Sequence, residues 1–209
     1  MKNYSDLNSL ELDTLKEIGS IGTGNAATAL SSLIGQQVRI EMPEVRIMGY
    51  NEAIEWIGGP EEITAGVLVK MSGQVNGIML SVQQLEFVNL VLESMLGKGV
   101  EDYSGLHEME CSALIEVGNI MISTFINALS SLAGIDIELT VPAFTVDMQG
   151  AIMTVPMAEY GGQSDYIMTI GGNFVRNGKN SSLPAVVVSG HSIFKLFAKE
   201  AGREQWSIS

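Results

Sequence analysis

The chain has 209 residues, 46% hydrophobic and 17% charged, which supplies a sizeable core and excludes a disordered chain. A formal charge of −13 at pH 7 argues against nucleic acid or an anionic membrane surface as a partner and suits a basic protein face. A single cysteine, Cys111, excludes an internal disulfide framework and points to a reducing compartment.

The opening segment MKNYSDLNSLELD has no apolar signal core, and no apolar run reaches spanning length, so a cytoplasmic protein without membrane insertion is expected. Residues about 9 to 34 read as one helix, with Leu15, Ile18, Ala26, Ala29 and Leu33 at helical spacing and Gly35 as the stop. QQVRIEMPEVRIMGYNEA reads as extended, broken at Pro43, and GGPEE as a turn. ITAGVLVKMSG and VNGIMLSV read as two strands, and QQLEFVNLVLESMLG as an amphipathic helix ending at Gly97. A second long helix is expected over about 105 to 133, stopped at Gly134. IDIELTVPAFTVDMQG reads as extended and carries Pro142; AIMTVPMAEYG and SDYIMTIGGNFV read as strands. RNGKNSS reads as a hairpin loop with an Asn-Gly turn, LPAVVVSG as a strand with Pro184 at its start, and HSIFKLFAKEAG as a short final helix.

The pattern starts twice. An offset of 99 residues relates Leu15 to Leu114, Glu17 to Glu116, Gly19 to Gly118, Ile21 to Ile120, Gly35 to Gly134 and Pro43 to Pro142. The same offset relates ALSSL at 29–33 to ALSSL at 128–132. Identity this dense indicates an internal duplication, and two copies make a pseudo-twofold unit instead of a solenoid. The chain is expected to be one domain over 1–209, built from halves at about 9–100 and 105–202.

On a wheel of about 100° per residue, Ser112, Glu116, Asn119, Ser123 and Ser130 form one stripe of the second helix. Leu114, Val117, Met121, Ile122, Phe125, Leu129 and Leu132 fill the opposite side. The first helix places Asp13, Glu17, Ser20, Gly24 and Ser31 in the same way. Glu116 and Asn119 are therefore expected on an outward ridge, kept low by Gly118 and Ser123, where they can reach together into another molecule. The plain alternative is a solvated helix face, where most Glu and Asn belong.

Other features yield less. GSIGTGN (19–25) fits neither nucleotide fingerprint, and its glycines suit close packing of two helices. His107 and His191 stand apart, with no metal-ligand spacing. Cys111 has no paired His and reads as structural. The 12 methionines read mainly as core filling, with an adaptable binding surface as the alternative. Trp56 and Trp206 carry no functional signal.

The spacing Ser112, Glu116, Asn119, Pro142 resembles the motif of the CheC/CheX/FliY phosphatases of bacterial and archaeal chemotaxis. That motif is Asp or Ser, three residues, Glu, two residues, Asn, then twenty-two residues and Pro. Asp13, Glu17 and Pro43 repeat it in the first half, with Ser20 where Asn belongs. The duplication, together with LKEIG and GNAATALSSL, is similar to the CheC type, and the likeness covers nearly the whole chain. It implies an α/β (α+β) fold: a central antiparallel sheet from two related halves, with the two motif helices together on one side. It implies hydrolysis of the aspartyl phosphate of the response regulator CheY. Asn119 would orient the attacking water, and Glu116 would pair with a lysine of the regulator. Mg²⁺ would belong to the response regulator, leaving this chain with no cofactor or metal of its own. The Glu17/Ser20 site would be weak or dead, because a serine hydroxyl hangs too close to the backbone to reach as an amide does. Asp13, Ser112, Pro43 and Pro142 would support the motifs. CheD, a receptor-modifying deamidase, is the second implied partner, with the stretch around Asp147 as a candidate surface. An adaptor that binds CheD or phosphorylated CheY with little catalysis therefore stays open beside the enzyme. A monomer is expected, since pairing within the chain replaces the dimer of single-motif relatives.

Overall fold

A computed structural model describes residues 9–162, 165–176, 179–182 and 185–190. Helix α1 spans Ser9–Ile34 and α4 spans Glu108–Ala133, so adding 99 to the bounds of α1 (9 and 34) returns those of α4 (108 and 133). Each stops where expected, on a glycine in the left-handed region: Gly35 at φ +65 and Gly134 at φ +61. A β-carbon is disfavoured there, so glycine ends the helix at little cost.

The strands are β1 (Arg39–Gly49), β2 (Ile63–Gly73), β3 (Gly77–Gln83), β4 (Ile137–Leu139), β5 (Ala143–Met148), β6 (Tyr166–Arg176), β7 (Lys179–Ser182) and β8 (Ala185–Ser189). They form one antiparallel sheet in the order β1-β6-β8-β3-β2-β4, with β5 continuing beside β2 and β7 beside β6. The order reads alike from either edge. The first strand of each repeat borders the second strand of the other: β1 beside β6, and β5 beside β2. At the centre β3 pairs with β8, Leu80 opposite Val187.

Three layers result. On one face α1 and α4 pack together over the sheet, beside α3 (Leu85–Leu96). Their core joins Val67, Val69 and Met79 of the sheet to Ile122, Phe125 and Leu129 of α4. The other face is covered by α2 (Tyr50–Ile57) and α5 (Gln149–Tyr160), through Ala53, Ile57, Ile152 and Met153 against Leu80, Val82 and Val187. Every residue of β3 is buried, because successive side chains point to two covered faces.

Three segments differ from expectation. KNSS (179–182), read as part of a hairpin loop, is strand β7, paired antiparallel to β6 from Asn173 to Arg176. AIMTVPMAEYG is the body of helix α5 and not a strand. Its buried residues Gln149, Ile152, Met153 and Pro156 recur at helical spacing, so packing overrides the β-branched Thr154 and Val155. The tail of the first extended stretch, YNEA, starts helix α2, which buries Tyr50, Ala53 and Ile57. Pro43 falls where the register of β1 against β6 shifts, between Glu41 and Glu44, and Pro142 in the break between β4 and β5. Both motif prolines thus interrupt edge strands, where a missing N–H removes no ladder bond.

Helix α4 amends the expectation that no apolar run reaches spanning length: it is long and apolar enough to cross a membrane. Half of its apolar stretch is buried inside the fold, which accounts for the apolarity as a core face. The Asn177-Gly178 turn, Pro184, His191, the final helix and Trp206 lie outside the described residues, as do the side chains of Leu15 and Pro43.

Candidate functional site

The site begins with how α1 and α4 meet. Ile18, early in α1, shares a cluster with Ile122–Leu129, late in α4. Ala26, Leu30 and Ile34, late in α1, share one with Ala113–Met121, early in α4. The helices therefore run antiparallel. Gly22 sits against the Phe125 ring, where a β-carbon would lie 2.5 Å from a ring atom. Taking 22 opposite 125 places 28 opposite 119, so Ser20 and Asn119 stand eight rises apart, about 12 Å along the pair.

On α4, Ser112 and Glu116 are exposed, and Asn119 and Ser123 are half-buried. The buried side holds Leu114, Val117, Met121, Ile122, Phe125 and Leu129 as the wheel predicts, while Leu132 in the last turn is 51% exposed. Neither the Glu116 carboxylate nor the Asn119 amide takes a hydrogen bond from the described residues, so both can bind a visitor. The neighbouring hydroxyls are engaged with their own helix. Ser112 Oγ donates to the Glu108 carbonyl at 2.7 Å, and Ser123 Oγ to the Asn119 carbonyl at 2.6 Å.

Gly118 corrects the picture of the ridge. It is buried and faces the sheet: an added β-carbon would lie 2.7, 2.8 and 2.9 Å from Cγ2, Cβ and Cγ1 of Val67 on β2. It does not lower the outer face. At two residues from Glu116, about 200° around the helix, it belongs with Val117 and Met121, and the wheel contained that signal.

The first half is arranged alike with different chemistry. Asp13, Glu17 and Ser20 are exposed on α1. Asp13 pairs with Lys16 at 3.4 Å, and Ser20 Oγ donates to the Lys16 carbonyl at 2.8 Å. The Ser20 proton is thus committed to its own backbone. Of the GSIGTGN glycines, Gly19 packs on Val45 of β1, Gly22 on Phe125, and Gly24 faces open space. All lie inside α1, so no phosphate loop exists there.

Around these motifs, the start of α4 is tied down. Glu110 is buried, accepts from the His107 backbone N–H at 3.2 Å, and pairs with Lys98 at 3.3 Å. Hydrogen bonds from its own and the His107 backbone, with the Lys98 ammonium, hold its carboxyl below the usual carboxylate range against the opposing effect of burial. Burial, then Glu110, pushes the Cys111 thiol up, away from the reactive thiolate. Six methionines (Met48, Met71, Met79, Met121, Met153 and Met168) are buried as core filling, while Met109, Met148 and Met157 are exposed. Trp56, read as uninformative, packs on Gly171 and carries the Arg46 guanidinium 5.1 Å from its ring centroid. Asp147 is exposed at the end of β5 and accepts from the Met148 N–H at 2.7 Å.

The CheC-like family model matches the chain twice, over residues 10–47 and 109–146, each match running from a motif helix into the following strand. The chain is 27% identical over 161 residues to the CheY-P phosphatase CheC of Bacillus subtilis, covering 76% of this chain and 77% of that protein. It is 29% identical over 140 residues to the flagellar motor switch phosphatase FliY of the same organism, covering 66% of this chain and 36% of FliY. The crystal structure of Thermotoga maritima FliY shares the fold, with a TM-score of 0.73 at 23% identity over 95% of this chain and 99% of that one. The CheC-like module thus recurs at both motif helices, in a fold that the chain shares along its length with FliY.

Proposed function

We propose that this protein is an aspartyl-phosphate phosphatase that acts on phosphorylated CheY through Asn119 and Glu116. The observation that carries the reading is the pair itself: an exposed carboxylate and a half-buried amide one turn apart, both without a partner in their own chain among the described residues. An acyl phosphate is already reactive, so the work left is to place a water in line with the leaving oxygen. The Asn119 amide offers one acceptor and two donors on a short stem. Inserted beside the phosphoryl group, it holds the water. The water oxygen bonds to phosphorus, the bond from phosphorus to the aspartyl oxygen breaks, and its electron pair returns to the carboxylate. One water proton stays on the phosphate and the other leaves to solvent. Glu116 pairs with a basic side chain of the regulator and fixes the angle of entry. Any Mg²⁺ is the regulator's; among the described residues no three His, Cys, Asp or Glu side chains group as ligands.

The Ser20 hydrogen bond to the Lys16 carbonyl supports a docking role, not a catalytic one, for the first motif. It favours an added adaptor function, with CheD or phosphorylated CheY held at or near that half. The decay of acyl phosphate on CheY tests the proposal. Asn119→Ala is expected to slow it by about 100-fold, and Ser20→Ala to leave it nearly unchanged. A Ser20→Ala protein that loses the activity while Asn119→Ala keeps it reverses the assignment.

A further inference from the structure

We infer that Gly118 is the positioning residue for Asn119: its missing β-carbon seats α4 on Val67 and so sets how far the amide projects. The inference rests on the phosphatase reading of Asn119 and adds the device that holds it. A β-carbon at 118 would meet three side-chain atoms of Val67 at 2.7–2.9 Å, where ordinary contact begins near 3.4 Å. None of those atoms is the end of a flexible chain, since Val67 is β-branched and fully buried. The strand cannot yield either. Val67 is paired to Ser81 of β3 on one side and to Phe144 of β5 on the other. An alanine at 118 must therefore lift α4 by more than half an ångström, and Asn119, the next residue, moves with it.

The other half supplies the contrast. Gly19, the repeat counterpart of Gly118, also packs on a valine, Val45, but on β1, an edge strand paired on one side to β6 and shifted in register nearby. The helix bearing Asn119 is seated on an inner strand held from both sides. The helix bearing Ser20 rests on an edge free to give. Near-attack geometry is steep enough that a displacement approaching 1 Å costs up to about 100-fold in rate.

The experiment compares single-turnover dephosphorylation of CheY with binding of CheY carrying a stable phosphoryl mimic, for full-length variants whose melting temperatures are measured in parallel. Gly118→Ala is expected to lower the catalytic rate at saturation by roughly 10- to 100-fold while the binding constant changes by less than about twofold. Gly19→Ala, which imposes the same kind of clash, is expected to lower the melting temperature and leave the rate at saturation intact. Adding Val67→Gly to Gly118→Ala moves the missing β-carbon from helix to strand and is expected to restore most of the rate. Wild-type rate in Gly118→Ala overturns the inference, as does a Gly19→Ala protein slowed equally. If Gly118→Ala does not fold, Val67→Ile delivers the displacement from the strand side, and an undiminished rate there overturns it too. Asn119→Ala separates the two levels. An active Asn119→Ala protein removes the phosphatase reading itself, whereas an inactive one beside a fully active Gly118→Ala protein removes only the seat.

Discussion

Two side chains at equivalent positions, Ser20 and Asn119, carry the difference between the halves. Both sit one turn beyond a glutamate on an antiparallel helix pair. The asparagine amide extends one bond farther and makes no hydrogen bond to the described chain, while the serine proton is spent on the Lys16 carbonyl at 2.8 Å. The neighbours of Ser20 are otherwise fit for the motif, with Glu17 exposed and Gly24 open to close approach. On the proposed phosphatase reading, Ser20→Asn should therefore raise activity by less than twofold, since two equally well-seated independent sites would sum to about twofold and α1 rests on an edge strand. Rates of acyl-phosphate decay for the single variant, and for it combined with Asn119→Ala, measure this. Activity restored in the combined variant would come from the first half alone. No gain in either would mean that the first helix, on its edge strand, cannot hold an amide in place.

The elements explain how α4 is held and how much of it the sequence discloses. Its N-terminus is fastened by Glu110, whose folded pKa is lowered by backbone N–H groups and Lys98. A lowered carboxylate pKa stabilises the fold fully above the unfolded value, and the contribution fades as pH falls through the folded one. Glu110→Gln should thus lower the melting temperature at neutral pH, and the difference should shrink as pH falls below the ordinary glutamate value of about 4.3. Thermal melts across that range check the sign. The bounds of α1 and the end of α4 were legible because helical period and stop glycines agree, whereas α4 starts at Glu108 and not near 105, after a separate turn at Tyr103–Gly105; β2, β3, α3 and β6 were legible from apolar runs between turns. Helix α5 was not. Its outer face carries Val155 and Met157, so no polar side contrasts with the buried one, and Thr154, Val155 and Pro156 read as strand. Helix α2 escaped for another reason: eight residues, entered from Gly49 with no side-chain cap, give little signal. The site was half legible. A wheel orients Glu116 and Asn119, but only coordinates reveal which strand lies under Gly118, since Val67 is 51 residues away in the chain.

The whole molecule depends on strands crossing between repeats. β1 has its partner in β6, and β5 has its partner in β2, so each repeat completes its sheet with the other's strand. The helices interlock too, Gly22 of α1 against Phe125 of α4. A half cut away at the 100/101 junction keeps its own long helix but loses the strand beside its first one and the covering of that helix. An exposed edge and an uncovered apolar face together are a surface that must be paired or will aggregate. The near-symmetry offers a way to pair, because a second copy of the same half presents a similar strand and helix face. Residues 101–209 expressed alone should therefore fold only as a dimer, with cooperative unfolding that depends on protein concentration, while the full chain stays monomeric. Sedimentation and urea melts at two concentrations decide it. A half that sediments as a monomer and still unfolds cooperatively would mean that the strands exchanged between repeats are not needed to close either one.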